Sequence, residues 1–162
     1  MSNKPVAYIL IGFPGSGKSS YIKNDFTSNS RFMVASSDDY LEWIASNNNV
    51  TYDKIFKDFI KEADKHFFET LDYAASNEIS VVVDRVNTSS KSRKRIIDRL
   101  RNTHYIKAIL FEISENDLEI NLKQRKNKTI PLDVLESFKY NFQYPEKGEG
   151  IDEIEVRQFL RK

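Results

Sequence analysis

With 25 basic and 24 acidic side chains among 162 residues, the net charge of +1 is too small to announce a nucleic-acid partner through the overall field. The length suits a single domain over 1–162, and 40% hydrophobic residues are enough for one core. The lack of cysteine excludes disulfides, a thiolate nucleophile and cysteine-bound zinc; no basic-apolar leader or membrane-length apolar run occurs, so a soluble cytosolic protein, without membrane contact, is expected.

Val6-Ala-Tyr-Ile-Leu-Ile11 is an apolar run of strand length. It leads directly into Gly12-Phe-Pro-Gly-Ser-Gly-Lys-Ser19, a complete G-x-x-x-x-G-K-[ST] phosphate-binding loop. In such a loop the glycines let backbone N–H groups turn inward around phosphates. Lys18 would reach the β and γ groups, and Ser19 would offer its hydroxyl to Mg²⁺. Gly12, Pro14, Gly15, Ser16, Gly17, Lys18, Ser19 and Ser20 are therefore the expected contacts to ATP. A helix begins at Lys18 and runs through Lys23 behind the loop.

A second strand, Phe32 to Ala35, ends in Ser36-Ser37-Asp38-Asp39-Tyr40, which puts two acids at the carboxyl edge of the sheet, where open α/β sheets bind ligands. Two roles fit these acids: accepting a proton from an incoming hydroxyl, or capping the helical segment Tyr40 to Ile44. Asp38 is assigned the first and Asp39 the second. Ser46 to Asn49 makes a loop before a long helix over Tyr52 to Ala75. There Tyr52, Phe56, Phe59, Ile60, Ala63, Phe67, Leu71 and Ala74 recur at helical spacing as a core stripe.

The third strand, Ile79 to Val83, delivers Asp84 at its end, where an acid can reach the Mg²⁺ shell beside a phosphate loop or cap the next turn. Asn87 is a further candidate, with turn formation as its alternative. Ser90 to Arg101 is a helix with Ile96, Ile97 and Leu100 inward. Its basic residues Lys91, Arg93, Lys94, Arg95, Arg99 and Arg101 are expected to form a solvated face. The fourth strand is Ile106 to Phe111, and Ser114 caps a helix running towards Arg125. Lys123, Arg125, Lys126 and Lys128 then precede Thr129-Ile-Pro131, so a short lid is expected over about 123–130. It would present Arg125 to the γ-phosphate, with Lys126 or Lys128 sharing the task; a solvated helix end is the alternative. Pro131 opens a helix whose Leu135, Phe138 and Phe142 share a face, and Pro145, Gly148 and Gly150 end it. Ile154 to Phe159 is the last strand. His66 and His104 show no partner pattern.

Strand and helix thus alternate as in a parallel sheet covered on both faces, an α/β P-loop kinase fold with five strands in the expected order 2-3-1-4-5. The assembled motifs resemble the polynucleotide 5′-hydroxyl kinase family of bacteriophage type, within the wider small P-loop kinases. The residues that carry the likeness are 12–20, Ser37-Asp-Asp-Tyr40, Val83-Asp-Arg-Val-Asn-Thr88 and Thr129-Ile-Pro-Leu-Asp-Val-Leu135. The resemblance implies transfer of the γ-phosphate of ATP-Mg²⁺ to the 5′-hydroxyl of DNA or RNA, in a repair setting. It puts Asp38 on the general base, Asp84 on an essential active-site aspartate and Arg125 on the lid arginine. It also implies that Leu41 stands where the phage family has an acceptor-gripping arginine. Either another cation serves, such as one from the 91–101 helix, or the acceptor is not a polymer. A small-molecule kinase and an ATP-binding regulator or toxin-like module are the rival expectations. A homo-oligomer is compatible with all three.

Overall fold

The computed structural model describes residues 3–26, 31–125 and 128–161. Five parallel strands lie in the order β2-β3-β1-β4-β5: β1 Val6–Ile11, β2 Phe32–Ala35, β3 Ser80–Val83, β4 Tyr105–Glu112 and β5 Glu153–Gln158. This is the expected α/β P-loop architecture and strand order. Helices α1 Lys18–Asp25, α2 Ser37–Asn47, α3 Tyr52–Asn77, α4 Ser90–Leu100, α5 Glu115–Lys123 and α6 Leu132–Tyr140 connect and cover the strands. No helix among the described residues is long and apolar enough to cross a membrane.

The two-residue period of the strands divides the core between the two faces. Ala7, Ile9, Ile11, Val81, Val83, Ile106, Ala108 and Leu110 meet Phe67 and Leu71 of α3 and Ile96, Ile97 and Leu100 of α4. Leu10, Val82, Ile109 and Phe111 face the other way, onto Tyr21, Ile22 and Phe26. Phe67 has no exposed surface; its truncation to alanine would cost about 3–5 kcal/mol. The fifth strand is an edge, and its Val156 is exposed.

Four details differ from the sequence expectation. Helix α2 starts at Ser37, and its cap is Ser36, whose hydroxyl accepts from Asp39 N–H at 3.2 Å, so Asp39 is a first-turn residue and not the cap. Helix α6 ends at Tyr140; Phe142 lies beyond it, packed on the main core and against the Phe13 ring. The basic helix is not uniformly solvated. Arg93 is fully buried, its guanidinium donating to both Glu149 carboxylate oxygens at 2.8 Å and to Asn87 O at 2.9 Å. A buried guanidinium needs such partners, because unpaired it would cost several kcal/mol. Finally, the α3 stripe divides: Ala63, Phe67, Leu71 and Ala74 are buried, whereas Phe56 is exposed and Tyr52 and Ile60 border a groove.

Of the two histidines, His104 is buried between Thr103 Oγ1 and Ile79 O. His66 stacks on Tyr40.

Candidate active site

The loop between β1 and α1 takes its shape from glycines at left-handed φ, Gly15 at 87° and Gly17 at 102°. A side chain at either would be strained. At Gly12 the obstacle is proximity, since a Cβ there would lie 2.5 Å from Ser16 Oγ. Gly17 precedes α1 without any side-chain cap, which leaves the first N–H groups of the helix directed into the loop, the arrangement that receives phosphate.

Lys18 is buried behind the loop, donating to Gly12 O at 2.8 Å and Phe13 O at 3.0 Å. Burial lowers its pKa to about 8, with Asp84 opposing the shift and Arg125 adding to it. Gly12 N–H donates to Val86 O and Asp84 N–H to Ala35 O, both at 2.9 Å. Those bonds fix the segment after β3 between the phosphate loop and the start of α2. Lys18, Ser19, Asp38, Asp39 and Asp84 consequently line one polar cleft of about 540 Å³, together with Pro14, Gly15, Gly17, Ser20, Arg125 and Lys128.

The carboxylates of this cleft differ in state. Burial pushes Asp84 up to about 6, against the opposing Lys18 charge, with Asp39 and Asp38 adding to the rise. Burial also raises Asp39, helped by Glu42 and Asp38. For Asp38 burial acts in the same sense, but the Lys128 charge and hydrogen bonds from Tyr52 and Lys128 outweigh it, so the carboxyl sits below its ordinary value. Tyr52 Oη donates to Asp38 at 2.7 Å, and Lys128 Nζ to Asp38 at 3.0 Å and to Glu42 at 2.9 Å.

Beyond Asp38 the cleft opens into a second, mainly apolar groove of about 600 Å³, walled by Tyr52, Phe56, Ile60, Ile130, Val134 and Phe138. Asp38, Asp84, Arg85, Arg125 and Lys128 border both spaces. Arg125 Nη1 is buried there with no hydrogen-bond partner among the described residues. A buried, unpaired guanidinium donor is costly, and a phosphate oxygen in the cleft would satisfy it.

Not every expected residue faces these spaces. Asn87 is buried at φ 50°, its amide donating to Leu10 O at 2.8 Å, so it holds the turn after β3. Ser16 is buried under the loop. Leu41 is fully buried in the α2–α3 cluster with Ile44, Ala45, Ile55 and Ala63, and borders neither space. Its apolar identity answers to packing. Lys126 lies outside the described residues. Sequence reasoning overlooked Arg85, which ion-pairs Asp64, donates to Ser37 Oγ at 2.9 Å and covers the Phe67 ring at 3.6 Å. The available signal was its place directly after Asp84 at a strand end.

Ser19 and Asp84 suit Mg²⁺. No group of three or more His, Asp and Glu is gathered for a metal among the described residues. Mg²⁺ usually takes only one or two carboxylates beside phosphate oxygens and water. A buried carboxylate crowded by two others is a donor that a divalent cation would relieve.

Residues 8–145 match the family described as AAA domain. The chain belongs to that family. This AAA domain is accordingly an ATP-binding P-loop protein of the small-kinase kind. No curated protein matches it. Among solved structures, the AAA domain is similar to a chain of the Pnkp1/Rnl/Hen1 RNA repair complex, with TM-score 0.67, 18% identity, and coverage of 87% of this chain and 45% of that one. A sugar kinase from Janibacter sp. gives TM-score 0.58 at 16% identity, covering 95% and 85%. The PezAT toxin-antitoxin system of Streptococcus pneumoniae gives 0.65 at 16%, covering 97% and 68%. Likeness at these identities carries the fold alone. The AAA domain spans less than half the length of the repair-complex chain it matches.

Proposed function

We propose that this protein transfers the γ-phosphoryl group of ATP to the 5′-hydroxyl of DNA or RNA. The observation that carries the reading is the position of Asp38, whose carboxylate borders both the phosphate-loop cleft and the apolar groove. A hydroxyl delivered through the groove meets Asp38 before it meets the phosphate. The groove walls are aromatic and aliphatic, which favours an acceptor bearing a nucleobase over a bare sugar, whose hydroxyls would need polar partners.

In the proposed reaction the loop amides and Lys18 hold the β and γ groups, and Arg125 Nη1 bonds a γ-phosphoryl oxygen. The acceptor oxygen forms its bond to phosphorus as the bond to the β–γ bridging oxygen breaks, the electron pair leaving with ADP. The acceptor proton passes to Asp38, which its pKa keeps ionised at neutral pH. Mg²⁺, held by Ser19 and Asp84, would supply charge neutralisation for the triphosphate. Tyr52 and Lys128 orient the Asp38 carboxylate through the bonds described. Arg85, fixed by Ser37 and Asp64, borders both the cleft and the groove and would lie beside donor and acceptor alike. The similarity to a protein of an RNA repair complex supports this choice of acceptor.

The second reading is a nucleoside kinase, favoured by the modest size of the groove, about 600 Å³. Radiolabelled ATP offered with a 5′-hydroxyl oligonucleotide and, in parallel, a nucleoside panel separates the two. Label on the oligonucleotide end is expected; label on nucleosides alone would replace the polymer reading, and label on neither would remove transfer to nucleic-acid building blocks altogether.

A further inference from the structure

The apolar groove does not stop at Phe138. Val86 and Phe138 also border a third space of about 570 Å³ on the far side, lined by Thr88, Ser89, Lys91, Ser92, Tyr140 and Asn141. Its chemistry is opposite to that of the phosphate-loop cleft. Among the described residues no acid lines it, and Lys91 is the only charged residue that does. Helix α4 begins at the carboxyl edge of the sheet, directly after β3, so this space opens on the same edge as the loop. Two segments build it: Gln143 N–H donates to Thr88 O at 2.8 Å, and Gln143 Oε1 accepts from Ser90 N–H at 2.9 Å and Ser90 Oγ at 2.8 Å.

Most basic residues of α4 are already engaged. Arg93 is buried on Glu149, Lys94 pairs with Asp98, Arg99 pairs with Asp72, and Arg95 covers the Phe68 ring. Lys91 is exposed and lines the third space. Tyr140, 90% exposed at the end of α6, lines the same space. An aromatic face that exposed is available for stacking a base. A cation among hydroxyls and an amide, with no competing carboxylate, suits a phosphodiester.

We infer that the third space is a downstream subsite for a single-stranded acceptor, in which Lys91 takes a backbone phosphate and Tyr140 stacks a base that follows the reacting nucleotide. The inference rests on the polynucleotide reading of the same site and adds the residues that measure acceptor length.

The test compares a nucleoside 3′-monophosphate with a 5′-hydroxyl octanucleotide for wild type, Lys91→Glu, Lys91→Ala and Tyr140→Ala, with thermal melts to verify folding. For the octanucleotide, KM should rise about five- to tenfold in each variant. Its kcat should stay unchanged, as should both constants for the mononucleotide. The slope of log(kcat/KM) against log[salt] should become shallower by about one in Lys91→Ala. Fluorescence anisotropy of a labelled octanucleotide should weaken in parallel, independently of turnover. Equal octanucleotide KM and binding in wild type and variants would overturn the subsite while leaving 5′-hydroxyl transfer standing. Absence of transfer to either acceptor by the wild type would overturn the proposed function and this inference together.

Discussion

The two halves of the candidate active-site region are made in contrasting ways. The phosphate-loop cleft is polar, crowded with Lys18, Asp38, Asp39 and Asp84, and centred on one short stretch, Pro14 to Ser20, whose glycines dictate the loop's shape. The groove beside it is mainly apolar and most of its lining comes from three remote segments: the first turns of α3, the residues after β3, and 128–138. Under the proposed function, donor binding leans on backbone groups and acceptor binding on side chains. Substitutions on the two sides should therefore separate cleanly.

The largest expected effect is at the hinge between the halves. Arg125→Ala should lower kcat about 10³-fold with a far smaller change in ATP affinity, as single-turnover kinetics and fluorescent-nucleotide binding would show. Loss of ATP binding alone would place Arg125 on the ground state. Asp38→Ala should follow, retaining ATP but losing transfer by about 10²-fold or more; wild-type turnover would remove Asp38 as proton acceptor. On the acceptor side, Phe138→Ala should raise oligonucleotide KM by about tenfold while leaving ATP KM untouched. Equal shifts in both constants would dissolve the division proposed here.

Two predictions concern charge. The Asp84 carboxyl titrates at about 6 in the folded chain against an ordinary 3.8. The folded state thus keeps a proton that the unfolded chain releases between those values, and stability falls as pH rises through that window. Asp84→Asn removes the deficit and should stabilise the protein by about 1–2 kcal/mol at pH 8 and by almost nothing at pH 4, read from denaturant melts without nucleotide. No difference between the two pH values would sink the claim. Smallest in effect, Lys128→Met withdraws the charge that holds Asp38 down, so the acid limb of the pH–rate profile should move to higher pH. Tyr52→Phe should move it in the same direction. An unmoved limb would mean that the profile reports another group.

Local patterns carried the architecture. The run before the phosphate loop, the apolar segments at 79 and 106 and the stripe from 63 to 74 each announced an element, because strand and helix periods are written in contiguous residues. What stayed illegible depended on distant partners. Arg93 sits in a basic helix, and nothing adjacent reveals that Glu149, 56 positions away, draws it inside. Ser36, Ser37, Asp38 and Asp39 are all competent caps, and only the place where β2 ends decides for Ser36. Likewise the upper part of the α3 stripe looks like core until 129–138 fails to cover Phe56 completely.

Helix α6 contributes Val134 and Phe138 to the wall of the apolar groove and Tyr140 to the space beyond, yet none of its side chains is buried. A segment so loosely attached sits at the low-stability end of a fold and tolerates substitution that the sheet would not. Selection can thus retool what the enzyme phosphorylates by rewriting nine residues while the engine beneath them keeps running. Grafting this helix from a relative of different taste is the most direct route to a redirected kinase.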